Sequence, residues 1–360
     1  MALDAAQRLS YWRASRLPSK SVFPDKPLDE LRLLAVSTLV DRIPGSKYEV
    51  VKLVCRVGAV DRPDDEAVIV VGSYEILEGV AWMLEDKLNT ALKQISARVP
   101  SSPYHIVRNL FRLRYPELSD NDIISCMLCS LQDSDPPAVL AILFEAIPKL
   151  SGDEPSALKE LKSRARQTIS SNESFAAQII ENIERRFPVD EPMARAVKSV
   201  VSTIKSNLSH RREDPFFEFS IIESVRLNLQ KMDDAIKKHG GCCVIQERPG
   251  EADEITRDLM YDFVTKKERD EGLEFGWRKM HAAFHFMQLH LSGQRFIPTG
   301  EVPTDENTSC PFYATCNLPS RIAHATVCQQ TPWKWSETQN DRDTRCWYAA
   351  ATTASLNSVA

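Results

Sequence analysis

The chain has 360 residues, 43% hydrophobic and 26% charged, the make-up of an ordinary globular protein and long enough for two lobes rather than one core. Its net charge of −5 gives no global attraction to nucleic acid or to an anionic membrane, so any such contact must come from a local patch. No run of about 18 apolar residues is present, and no membrane partner is expected.

From Val80 to His239 there is a single glycine, Gly152. Phosphate-binding loops and nucleophile elbows need glycine for positive φ and for close backbone approach. That stretch therefore excludes a Walker loop, a dinucleotide fingerprint and a nucleophile elbow. The nine cysteines are odd in number and no secretion signal precedes them, which predicts reduced thiols in a cytoplasmic or nuclear compartment.

In chain order, residues 1–27 read as an N-terminal arm with Trp12 and Phe23 as aromatic anchors. Leu28 to Ile43 reads as a helix, because Leu28, Leu31, Leu34, Ala35, Val36 and Leu39 recur near the 3.6 period and Pro44-Gly45 ends it. Tyr48–Val57 and Ala67–Val71 are rich in β-branched residues and flank a turn composition at Asp61–Asp65, which predicts a β-ribbon over about 48–73. A two-stranded ribbon is marginal unless it gains a third strand or packs on something.

Helices then follow one another: Ile76–Val99, Tyr104–Tyr115, Asp120–Leu131, Pro137–Leu150, Pro155–Ser170, Glu173–Phe187, Pro192–His210, one from Asp214-Pro215 to His239, Glu251–Asp270 and Leu273–Leu291. Prolines and acidic residues mark many of their starts. Residues 298–360 lack sustained helical periodicity and read as an extended tail anchored by Phe312, Tyr313, Trp333, Trp335 and Trp347. The expected organisation is an arm (1–27), an N-terminal helical lobe with the ribbon (28–187), a C-terminal helical lobe (188–297) and the tail (298–360). The fold class is mainly α and two-lobed, with extended terminal arms.

Arg108 and Arg112 share a helix face at i, i+4, with Arg114, Tyr104 and Tyr115 nearby. From Pro155 to Arg212 eleven cations (Lys159, Lys162, Arg164, Arg166, Arg185, Arg186, Arg195, Lys198, Lys205, Arg211 and Arg212) stand against six carboxylates. Cations fixed on rigid helices along one track, with aromatics for stacking, are what a nucleic-acid backbone needs. The competing account is a set of solvated helix faces balanced by acids elsewhere.

Cys310, Cys316, His324 and Cys328 offer four soft or borderline ligands, but without the short hook of the usual zinc motifs. Scattered reduced thiols are the better account, so neither a metal nor a cofactor is expected. Cys126 and Cys129 lie in an apolar helical stretch and read as buried core thiols. His281 and His285 share a helix face, but Ala282 stands where a metalloprotease motif needs glutamate, and they read as core histidines. The aspartates of Met232–Lys238 and Asp133–Pro137 do not make a metal motif.

A small β-ribbon near the N-terminus, two helical lobes, cations around their junction and an arm at each end resemble, in that order, the nucleoproteins of negative-strand RNA viruses. That resemblance is one of architecture and includes no diagnostic motif. It implies a non-enzymatic protein that clamps single-stranded RNA in a basic groove and polymerises through its N- and C-terminal arms. The cations named above would contact phosphates, and Tyr104 or Tyr115 would stack bases. A viral polymerase or phosphoprotein would be a further partner and the virion a location. The chain departs from that pattern in its acidic net charge and in its cysteine- and tryptophan-bearing tail. Two other readings stand beside it: a helical protein-interaction scaffold without nucleic acid, and a metal-dependent enzyme using the Cys/His tail.

Overall fold

The computed structural model describes residues 11, 14, 15, 17–43, 48–61, 66–147, 154–186, 193–228, 230–239, 244–249, 255–260, 271–292, 295–304, 308–313, 316, 318–335 and 346–357. The protein is mainly helical, with a three-stranded antiparallel sheet near its N-terminus. It forms two compact units, Met1–Ala177 with Leu208–Met232, and Gln178–Asn207 with Asp233–Ala360.

In the first unit the sheet runs β1 (Leu31–Arg42), β2 (Glu49–Ala59) and β3 (Glu66–Val71), in that order. The two predicted strands are β2 and β3, and β1 supplies the third that such a ribbon needs. That third strand overturns the helix expected from Leu28 to Ile43, of which only the 3-10 turn Leu28–Glu30 is helical. A β-bulge between Leu33 and Ala35 explains the misleading period. The extra residue, Leu34, shifts the later side chains by one place, so a strand pattern mimics helical spacing. Gly58 makes room for it, since a Cβ there would stand 2.8 Å from the Leu34 Cδ1. The Asp61–Asp65 turn lies, beyond Asp61, outside the described residues.

The central strand β2 buries Leu53, Cys55 and Val57 against helices. These are α1 (Ser73–Ala91), α2 (Ile106–Arg114), α3 (Asp120–Ser130), α4 (Pro136–Ala146) and α5 (Glu154–Ser171). Their inward residues include Ile76, Phe111, Met127, Phe144 and Leu161, and Phe111 and Phe144 meet with ring centroids 4.8 Å apart. Cys126 and Cys129 are buried here, as expected of core thiols. The boundaries reflect local chemistry. Ser119 caps α3 by accepting from the Asp122 N–H, and Pro136 begins α4 where no intrahelical N–H is needed.

Part of the N-terminal arm is tied to its own unit. Ser19 donates its N–H to Glu75, the Val70 N–H of edge strand β3 donates to the Ser21 hydroxyl, and Phe23 is buried in the core. Phe23 is thus an anchor within the chain rather than one for a neighbouring copy. Trp12 lies outside the described residues.

Helices α6 (Glu173–Arg186) and α7 (Met193–Glu213) follow, then α8 (Phe217–Leu227) and α9 (Lys231–His239). A single helix over 214–239 was expected; the break falls at Asn228, which is extended and whose side-chain oxygen accepts from the Gln230 N–H. Asparagine competes with the helical backbone in this way.

In the second unit, β4 (Val244–Pro249) and β5 (Ile255–Met260) form an antiparallel hairpin. Its second strand, which opens on the β-branched pair Ile255-Thr256, stands where a helix was expected over Glu251–Asp270; residues 251–254 and 261–270 lie outside the described ones. Helix α10 (Glu271–Leu289) packs against α13 (Trp347–Asn357), with the short helices α11 (Pro319–Ala323) and α12 (Ala325–Gln330) between them in sequence. Residues 298–357, expected to be extended, are therefore folded in their described parts. Phe312, Trp335 and Tyr348 are fully or almost fully buried, in one cluster with four cysteines and Ala282 of α10. Helices α11 and α12 are too short to show a period in the sequence, and α13 is built mostly of alanine, threonine and serine, which give it no apolar stripe. His281 and His285 serve the same core, their rings 5.5 Å from Phe312 and 5.7 Å from Tyr348, and burial pushes His285 down to about 4.

Candidate nucleic-acid interface

The sequence-predicted cations sort by what holds them. Arg108 and Arg112 lie on one face of α2 at helical spacing, and both turn onto Asp120 in the first turn of α3. Arg108 grips the carboxylate with two nitrogens, at 3.1 and 3.0 Å, and Arg112 reaches it at 2.9 Å. A second Arg112 nitrogen donates to the Pro116 carbonyl. Partial burial raises the Asp120 pKa, but the hydrogen bonds and charges of the two arginines outweigh it, so its pKa is lowered overall. A phosphate would have to displace Asp120 from both guanidiniums at once.

That depressed pKa fixes the sign of a pH effect. The pair stabilises fully above the ordinary aspartate range near ~3.9 and is lost as pH falls through the lower, folded value. With Asp120 about a third exposed, Asp120→Asn is expected to cost about 1 kcal/mol at neutral pH. In urea melts the gap between parent and variant should close toward pH 2; a constant gap would show that the charge is not its cause.

Arg114 bonds Glu145 at 2.8 Å and lies over the Tyr115 and Phe144 rings. Tyr115 donates its hydroxyl to the Phe144 carbonyl and is half-buried, as is Tyr104. With Arg114 over its ring, Tyr115 does not offer both faces to a base.

On α5, Lys162 bonds Asp214 at 2.9 Å, and Asp214 also accepts from the Phe216 N–H and the Ser220 hydroxyl. Arg211 bonds Glu218 at 2.7 Å and lies 4.1 Å from the Phe217 ring centroid. These pairs are mostly covered. By contrast, Arg212 with Glu173 and Lys205 with Glu184 are about half exposed. Exposed pairs contribute only about 0–1 kcal/mol, so a phosphate can replace either carboxylate at little cost.

Lys159, Arg166, Arg185, Arg195 and Lys198 are exposed. Arg166 donates to the Glu213 carbonyl at 3.0 Å and Arg185 to Asn182 at 2.6 Å, leaving their charges without a carboxylate in those contacts. Arg164 is half-buried on α5. The Arg186 side chain lies outside the described ones.

A feature missed in the sequence is a groove of about 900 Å³ within the first unit. Leu158, Phe219 and Ile222 contribute apolar lining. Its charges are Asp86, Asp120, Asp122 and Glu223 against Lys87, Lys162 and Arg226. Four carboxylates against three cations give no positive field for a polyanion. These residues come from α1, α3, α5 and α8, and no local spacing announces their meeting.

No family model, curated protein or solved structure matches this chain. Among the described residues, no helix is long and apolar enough to cross a membrane. The Cys/His set weighed and set aside in the tail is divided: Cys310 and Cys328 are buried and Cys316 half-buried, whereas His324 is exposed, its ring 5.4 Å from that of Trp335.

Proposed function

We propose that the chain binds single-stranded RNA through its phosphate backbone, without reading base sequence, in the manner of a nucleocapsid protein. The observation that supports this reading is the division of the cations. Those on α2 are bound to carboxylates, while Lys159 and Arg166 on α5, Arg185 on α6, and Lys198 and Lys205 on α7 stand exposed and, among the described residues, either lack a carboxylate contact or exchange one cheaply. Within each unit, Lys159 and Arg166 in the first and Arg185, Lys198 and Lys205 in the second, helices hold these charges in fixed places, as contact with successive phosphates requires. The expected contacts are thus a subset of the sixteen residues marked by the sequence: in the first unit those of α5 rather than of α2, and in the second, separately, those of α6 and α7.

The groove of the first unit favours a second reading, a scaffold for a protein partner, because apolar side chains under a rim of mixed charge suit an amphipathic helix better than a polyanion.

A salt titration separates the two. Fluorescence anisotropy of a labelled oligouridylate should show log K falling against log salt with a slope of about −3 to −4, near −0.7 for each phosphate neutralised. A slope near zero removes the RNA reading and leaves the scaffold.

A further inference from the structure

We propose that Cys310, Cys316, Cys328 and Cys346 form a four-thiolate site for one zinc ion, which ties together the C-terminal segments of the second unit. All four line one small cavity, walled by Phe312, Trp335 and Tyr348. They arrive from separate places: Cys310 and Cys316 flank a turn, Cys328 lies in α12, and Cys346 immediately precedes α13. The backbone already fastens these places together, with the Cys310 N–H donating to the Cys328 carbonyl at 2.7 Å and the Cys316 N–H to the Phe312 carbonyl at 2.7 Å. Cys346 takes the position that the sequence offered to His324. It stands too far along the chain from the other three for motif spacing to show it.

Two features of the surroundings favour a thiolate against the burial that opposes it. Cys346 Sγ accepts the Ala349 N–H at 3.5 Å, and the Phe312 N–H acts on Cys310 in the same sense. Backbone N–H donors favour a thiolate over a thiol. Arg321 also lines the cavity; its side chain is half-buried with the guanidinium 4.5 Å from the Tyr313 ring centroid, and its Nε is buried with no hydrogen-bond partner among the described residues. A buried N–H donor without an acceptor is a costly arrangement. Four thiolates around a divalent ion carry net negative charge and would give the guanidinium a counter-charge.

Without a metal, burial pushes the Cys346 thiol up to about 11 and raises Cys310 and Cys328 as well. At neutral pH they are then protonated. Among the described residues no three ligating groups yet stand in a metal-binding arrangement. Uptake therefore requires the four sulfurs to move inward across the cavity they share, to Zn–S distances of about 2.3 Å. Each thiol loses its proton to solvent as its Zn–S bond forms, and no oxidant or reductant is needed. Soft thiolates select zinc among the common divalent ions, and a cavity of about 20 Å³ has room for an ion but not for an iron–sulfur cluster.

The test uses the full chain purified under reducing conditions with zinc present. Elemental analysis should find about one zinc per chain. Cobalt exchanged for it should give the intense visible bands of a tetrahedral ion and the near-ultraviolet charge transfer of four thiolates. Cys316→Ser and Cys346→Ser should each lose that signature, while His324→Ala and Cys55→Ser keep it. The cobalt spectrum of the parent chain counts thiolates even where a serine variant fails to fold. A zinc-free parent, or a cobalt spectrum of octahedral or thiolate-poor type, overturns the site. Retention by Cys346→Ser together with loss in His324→Ala overturns the ligand set.

Discussion

Glu75→Ala is expected to lower the stability of the first unit by about 3 kcal/mol, or on the order of 6–12 °C in melting temperature. Glu75 is fully buried near the start of α1, and its two oxygens do separate work. Oε2 accepts the buried Gly72 N–H at 2.8 Å, closing the first turn of the helix; Oε1 accepts the Ser19 N–H at 2.7 Å, fastening the N-terminal arm. Removing the carboxylate leaves a buried N–H unsatisfied and cuts two charge-assisted hydrogen bonds, each worth about 1.5–3 kcal/mol before the structure relaxes. Glu75→Gln keeps one acceptor and turns an amide N–H toward the other donor, so it should fall between parent and alanine. Thermal unfolding measures the cost, and limited proteolysis near Leu17–Phe23 reports release of the arm. An alanine variant within about 0.5 kcal/mol of the parent, with the arm equally protected, would show that the arm is held by Phe23 rather than by the carboxylate.

The helical order was legible where local chemistry decides it. Proline in the first turn of α4 and the acids opening α3 mark helix starts whatever lies opposite them. Strands β2 and β3 were legible because β-branched residues crowd both. Strand β1 was not, since the bulge at Leu34 breaks the alternation by which a strand is recognised. Nor did the break between α8 and α9 show, because it depends on one side-chain bond from Asn228. The cations illustrate a deeper limit. Spacing correctly put Arg108 and Arg112 on one face, but their use is set by Asp120, which belongs to another helix and carries no mark of that pairing in the sequence. The tail repeats the lesson with thiols: three of the four cysteines in the cavity were visible as a group, and the fourth joins them only through the fold.

That distinction between cations tied to carboxylates and cations left to solvent gives the RNA reading its sharpest consequence. Lys159→Ala combined with Arg166→Ala should weaken RNA binding on the order of 25-fold at 0.1 M salt and make the salt slope shallower by about 1.4, as loss of two phosphate contacts at about 0.7 each requires. Both side chains are exposed on α5, so the melting temperature should stay within a few degrees of the parent. Arg108→Ala combined with Arg112→Ala should do the reverse. It leaves Asp120 without its partners and lowers stability, yet the salt slope should not change, because those guanidiniums already neutralise a carboxylate. The pair of experiments is stronger than either half. Were the α2 variant to flatten the slope while the α5 variant left it intact, RNA would be displacing Asp120 and the interface would lie on α2. Were neither to move it, phosphate contact on α5 and α2 would be ruled out, and the apolar-lined groove of the first unit would become the surface to probe with a helical peptide.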